Sequence, residues 1–145
     1  MTAAVVAALQ STLAAEHSAC YGYGVVGAHL AVGSAALSAA AEDWIAHQRA
    51  RDELTAMISD RGGRPAPSAV AYELPFPVTS ATTAAQLAAT MEDRVAQAYL
   101  TLVALRELEL RMFGAEQVRA SALRAESWRG STQAFPGLPP TSLRR

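Results

Sequence analysis

The sequence predicts an all-α fold, one bundle of four helices, on three observations. Four long segments carry apolar residues at helical spacing. Glycine and proline punctuation falls between them, at Gly33, Gly62-Gly63, Pro65 to Pro77, Gly114 and Gly130. A Glu/Tyr pair also recurs at one spacing, Glu16–Tyr23 in the first segment and Glu92–Tyr99 in the third. A chain of 145 residues has the size of one domain, and 51% hydrophobic against 17% charged residues marks a core-forming chain.

The first helix is expected from Thr2 to about Val32, where alanine dominates and proline is absent. Val5, Leu9, Glu16, Cys20, Tyr23, Gly27 and Leu30 share its stripe. Gly22, Gly24 and Gly27 suit close approach of a neighbouring helix or a local bend. Gly33-Ser34 is a tight connection, so the first two helices run antiparallel. The second helix is expected from Ser34, a good N-cap, to Arg61, with Gly62-Gly63 as its stop.

Residues 62–79 hold Pro65, Pro67, Pro75 and Pro77 and cannot be helical throughout. Tyr72-Glu73-Leu74-Pro75-Phe76-Pro77-Val78 is too apolar for a free linker. The segment reads as a long Pro-rich crossover laid along the bundle between the second and third helices. The third helix is expected from Ser80, or from a capping box at Thr83 to Gln86, to about Phe113. Ala88, Glu92, Val95, Tyr99, Val103, Arg106 and Leu110 lie on its stripe, and Gly114 is read as its break. A fourth helix is expected over Ala115 to Arg129. Residues 1–130 thus form the bundle, and 131–145 a tail that is partly docked or disordered.

The formal net charge of -1 supplies no field for nucleic acid, and no basic amphipathic helix suits a membrane surface. Met1 to Ala15 is mostly apolar, and Ser18-Ala19-Cys20 hints at a lipoprotein cleavage box. It lacks a positive first region, and Glu16 and His17 interrupt it. A single cysteine, Cys20, allows no internal disulfide. The reading is cytoplasmic.

The polar residues on the apolar stripes carry the chemistry. On the second helix Leu37, Ala40, Trp44, His47, Arg51, Leu54 and Ile58 share a side, with His47 and Arg51 at its centre. A buried imidazole or guanidinium needs partners, because an unpaired buried charge costs several kcal/mol. Glu16 and Glu92 are the matching carboxylates. The expected network is Glu16, Tyr23, His47, Arg51, Glu92 and Tyr99. Arg51, with Arg106 or Arg124 as further candidates, neutralises the glutamates, and each tyrosine bonds a buried carboxylate. Trp44 and Trp128 read as core anchors, Cys20 as a small core residue, and His17 and His29 as flank or capping residues.

Two helix pairs, each led by a Glu-bearing helix, have the layout of ferritin-like bundles. Ala15-Glu16-His17, the helix with Trp44, His47 and Arg51-Asp52, Tyr72 to Pro77, and Trp128-Arg129-Gly130 followed by Ala134 to Pro139 resemble a ferritin-like bacterial domain family of unknown function, distantly related to di-iron proteins. The resemblance covers nearly the whole chain. It implies a ferritin-like four-helix bundle and says almost nothing of activity. Di-iron relatives place one Glu on each of two helices and Glu-x-x-His on the other two. Here Glu16, Glu92 and His47 remain, Trp44 stands where a ligand glutamate belongs, and the fourth helix has no histidine.

Two readings follow: a metal-free binding or assembly module without enzyme activity, or an iron- or manganese-binding, oxidoreductase-like protein using the reduced set Glu16, His47 and Glu92. Charge balance favours the first, with no cofactor. No phosphate loop, zinc spacing or nucleophile elbow is present. Surplus apolar positions, Val6, Leu13 and Ala28 on the first helix and Leu100 and Leu108 beyond, predict a homodimer through the first and second helices. An unidentified protein or small-molecule partner is compatible with the same reading.

Overall fold

The computed structural model describes residues 2–130. They form four helices: α1 (Thr2–Ala28), α2 (Ala35–Asp60), α3 (Ala81–Val103) and α4 (Leu108–Arg129). Their ends follow local chemistry. Ser34 Oγ accepts the Leu37 N–H and caps α2. Ser80 and Thr83 form a reciprocal capping box for α3. At the end of α2 the Gly62 N–H donates to Ser59 O and the Gly63 N–H to Ile58 O, with Gly62 at φ 74°. That pattern needs a left-handed residue, and glycine supplies it without strain. Gly130, at φ 77°, ends α4 in the same conformation.

Two boundaries differ from the sequence reading. α1 stops at Ala28, before Val32; the His29 ring donates from Nδ1 to the Val25 carbonyl and satisfies one terminal acceptor. The third helix stops at Val103, well short of Phe113, and α4 starts at Leu108. A helix from 80 to 113 would be about 51 Å long, against about 39 Å for one the length of α2. Turning at 104–107 matches α3 to its neighbours and brings Leu110, Phe113 and Val118 back onto the core. Gly114 therefore lies inside α4. A Cβ there would sit 3.1 Å from the Tyr99 carbonyl oxygen, so the glycine allows close approach to α3.

Cross-helix pairs set the directions. Tyr23 meets Asp43 and Glu16 meets His47, so α1 and α2 are antiparallel. Tyr99 meets Glu16 and Tyr23 meets Glu92, so α1 and α3 are antiparallel as well. α3 and α4 are antiparallel by Tyr99–Phe113 and Glu92–Arg124. α2 and α3 consequently run parallel. Residues of the segment between them touch α1. Gln10 holds the start, donating to Arg64 O at 2.6 Å and accepting the Ala66 N–H at 2.9 Å. His17 bonds the Ala66 carbonyl at 3.0 Å, Tyr72 packs on Tyr21, and Leu74, Phe76 and Val78 cover the far end of the core.

The core has two clusters. One contains Val5, Leu9, Leu13, Leu54, Ile58, Tyr99, Leu102 and Leu110; the other contains Tyr23, Val26, Ala40, Ala84, Leu87, Ala88 and Met91. Trp44, expected in the core, is 41% exposed. The buried face of α2 is rotated toward Ala50 and Met57, which turns Trp44 and Arg51 outward. Leu13, expected as surplus surface, is fully buried, and Val6 packs against the first cluster. The expected tail, 131–145, lies outside the described residues.

Candidate functional site

The two clusters meet at a layer of buried polar side chains. Glu16, His47 and Glu92 are each 1% exposed or less, contributed by α1, α2 and α3. His47 lies between the carboxylates, its Nδ1 2.6 Å from Glu16 Oε2 and its Nε2 2.8 Å from Glu92 Oε1. Two carboxylate acceptors require two N–H donors, so the ring is imidazolium. Burial alone would lower the His47 pKa. The hydrogen bonds to Glu16 and Glu92, and then their charges, override burial and push it up to about 9.

The tyrosines extend the layer in a crossed pattern. Tyr99 on α3 donates to Glu16 Oε1 on α1, and Tyr23 on α1 donates to Glu92 Oε1 on α3, each at 2.6 Å. Each tyrosine thus serves the glutamate of the other helix, not the one two turns away on its own. Burial first, then the adjacent carboxylates, raises both phenol pKa values and keeps the donors protonated. Tyr23 also stacks on His47, with ring centroids 5.3 Å apart.

Arg124 of α4 supplies the second positive charge, its Nε 3.0 Å from Glu92 Oε1. It is the arginine that the structure selects among the three candidates. Arg106 is exposed in the α3–α4 connection. Arg51 is outside the network and pairs with its neighbour Asp52 at 2.8 Å. Its long stem lets the guanidinium reach water and leave the core to shorter side chains. Burial would raise the Glu92 pKa, yet the His47 hydrogen bond and charge, Arg124 and Tyr23 hold it below the usual value. Two fully buried carboxylates thus face the His47 imidazolium and the partly buried Arg124 guanidinium.

Asp43 is a member that the sequence reading missed. The Trp128 indole N–H donates to its Oδ2 at 2.8 Å, and the Tyr23 oxygen is 3.2 Å from the same atom. The single Tyr23 proton goes to the closer Glu92. Burial raises the Asp43 pKa, countered most by Trp128. The legible signal was the spacing of Asp43 and His47, one turn apart on α2. Cys20, expected in the core, is only partly buried beside Tyr72 and Arg51; burial and then Glu16 raise its pKa to about 11, which favours the neutral thiol.

Three donors converge on Glu92 Oε1, while the buried Glu92 Oε2 has no hydrogen-bond partner among the described residues. No group of three or more His, Cys, Asp or Glu among the described residues is arranged around a common metal position. Glu16, His47 and Glu92 are adjacent, but they point at one another.

An all-α, four-helix domain with a closed polar layer across its middle is the class that these features define. The chain belongs to the family described as a domain of unknown function (DUF4439), whose model matches residues 8–140. It is similar to the crystal structure of a conserved hypothetical protein, rv2844, from Mycobacterium tuberculosis, with TM-score 0.83 and 35% sequence identity, over 88% of this chain and 96% of that one. No curated protein matches. No helix among the described residues is long and apolar enough to cross a membrane.

Proposed function

We propose that this domain is a ferritin-like bundle, with a long proline-bearing crossover from α2 to α3, whose ancestral metal positions hold a metal-free ion-pair network. It acts as a binding or assembly module in the cytoplasm, and not as an enzyme. The antiparallel pairs α1/α2 and α3/α4, with parallel α2 and α3, support the ferritin-like reading. The observation that carries the metal-free reading is His47, whose two ring nitrogens both lie within hydrogen-bond distance of carboxylates.

The donor set does not fit a di-iron centre. An imidazole ligates through a nitrogen lone pair, and protonated His47 has none to offer. Trp44, at the position where a ligand glutamate belongs, faces outward. α4 contributes Arg124, and a guanidinium on Glu92 repels a cation. The open Glu92 Oε2 supports the second reading, a single iron or manganese ion on Glu16, His47 and Glu92. Elemental analysis separates the two, on protein purified without chelator and again after iron or manganese loading under reducing conditions. The network reading expects well under one metal per chain in both. Stoichiometric metal that disappears in Glu16→Ala establishes the second reading instead.

A further inference from the structure

α4 carries an apolar stripe on its outer side. Its inner side is set by the buried Leu110, Gly114, Ser121 and Ala125. At about 100° per residue, the opposite side carries Leu108, Met112, Ala115, Arg119 and Leu123. Leu108 is 66% exposed, Met112 64% and Leu123 51%. Single exposed apolar residues are ordinary, but three large ones aligned along one helix form a patch. The other exposed large residues do not align this way: Trp44 and Ile45 are sequence neighbours on α2, and Val32 and Val70 lie outside the helices.

We propose that this stripe is the two-fold interface of a homodimer, with α4 of one copy packed antiparallel on α4 of a second. Register and charge carry the argument. A two-fold contact uses one patch twice, so the patch must complement itself when reversed. The stripe does so about the Ala115–Glu116 peptide. Leu108 and Leu123 are equally distant from that point on opposite sides, and so are Met112 and Arg119. Antiparallel packing centred there sets Leu108 against the partner's Leu123, and Met112 against the aliphatic stem of the partner's Arg119. Small Ala115 falls at the crossing, where it permits close approach. Glu116 lies one turn from direct opposition to the partner's Arg119, within reach of a diagonal ion pair, and symmetry repeats that pair. Among the described residues Glu116 and Arg119 pair with each other, at 3.3 Å on the exposed surface.

This inference deepens the assembly reading by naming the partner, and it rests on that reading only for what the module does. The interface lies on α4 and not on the α1–α2 face expected from sequence, because Leu13 and Val6 are absorbed by the core.

Light scattering coupled to size exclusion on the full chain, from roughly micromolar to a hundredfold higher concentration, should give a dimer mass at the upper end. Leu123→Glu should weaken the dimer by roughly 100-fold or more, with unchanged helix content because the side chain is exposed in the monomer. The register is read by diamide cross-linking in a Cys20→Ser background. Ala115→Cys should cross-link to itself, whereas Leu108→Cys and Leu123→Cys should cross-link efficiently only when mixed. A monomer at every concentration overturns the proposal, whether the stripe stays open or something else covers it. A dimer indifferent to Leu123→Glu and silent at Ala115→Cys overturns it too. Metal content on the same samples keeps the two readings apart: a metal-free monomer sinks the interface alone, and a dimer with stoichiometric metal sinks the metal-free reading alone.

Discussion

The two ends of the core solve the same packing problem by different means. Around Leu9, Leu13, Leu54, Ile58, Leu102 and Leu110, large side chains from all four helices fill the interior. At the other end, Ala40, Ala84 and Ala88 leave the helices too thin to fill it themselves. Leu74, Phe76 and Val78 from the α2–α3 connection, with Leu30 and Trp128, complete it from outside. The first end depends on the helices alone, while the second depends on a non-helical segment staying docked. Between them the layer of Glu16, His47, Glu92, Tyr23, Tyr99 and Arg124 belongs to both, since Tyr99 is part of one cluster and Tyr23 of the other.

The seam should be the most sensitive place to break this arrangement. His47→Leu leaves Glu16 and Glu92 as buried carboxylates beside each other, and Glu92→Ala strands His47 and Arg124. Either should destabilise by roughly 3–5 kcal/mol in urea unfolding. A Glu16/His47 double-mutant cycle should show strong coupling; additivity within about 0.5 kcal/mol would mean that the two do not act together.

At the helix-filled end, Leu9→Ala or Leu54→Ala should cost about 2–5 kcal/mol, because a fully buried leucine leaves a cavity that no loop can collapse into. Less than about 1 kcal/mol would show that this end is as adaptable as the other.

The seam also predicts a pH dependence. The folded-state pKa of His47, about 9, lies above its ordinary 6.5, so the fold holds a proton that the unfolded chain releases. Its stabilising contribution is complete below about pH 6.5 and lost as pH rises through about 9, on the order of 3 kcal/mol in all. Glu92 has the opposite sign: its depressed pKa stabilises above its ordinary value of 4.5 and that contribution fades in acid. Denaturation midpoints should therefore peak between these limits. A His47→Gln variant should lose the alkaline slope; a slope that survives the substitution assigns it to another group.

At the end closed by the connection, Phe76→Ala should cost only about 1–2 kcal/mol globally, since Phe76 is partly buried. Its distinctive effect should be local, with faster amide exchange over 74–78 and the first turns of α3 than over α2. Uniform acceleration along the chain would erase the contrast between the two ends. The smallest effect belongs to Arg51→Ala, within about 0.5 kcal/mol, because the guanidinium pairs at the surface with Asp52. A cost near that of His47→Leu would restore Arg51 to the network.

Much of this was legible in particular residues. Ser34, Gly62 and Ser80 mark helix ends because their side chains or their freedom at positive φ act locally, and the structure uses each that way. Glu16, His47 and Glu92 stood out as ionisable groups on apolar stripes, and all three are buried in the layer. The α3–α4 turn at 104–107 was not legible. No glycine or proline marks it, and the visible glycine, Gly114, serves packing against Tyr99 and Leu102 instead of a break.

What the sequence by itself determined is therefore the local part: helix-forming stretches, caps, the proline-bearing connection and the need for buried charges to find partners. These follow from backbone chemistry and desolvation cost, which act within a few residues or on a single group. Only the tertiary structure decided which arginine neutralises Glu92, why Tyr23 and Tyr99 cross to the opposite glutamates, and which side of α2 faces inward. A rotation of a helix by a fraction of a turn moves Arg51 or Trp44 from core to water while leaving every local propensity unchanged. That choice is made by the summed packing of four helices, and single-helix periodicity does not contain it.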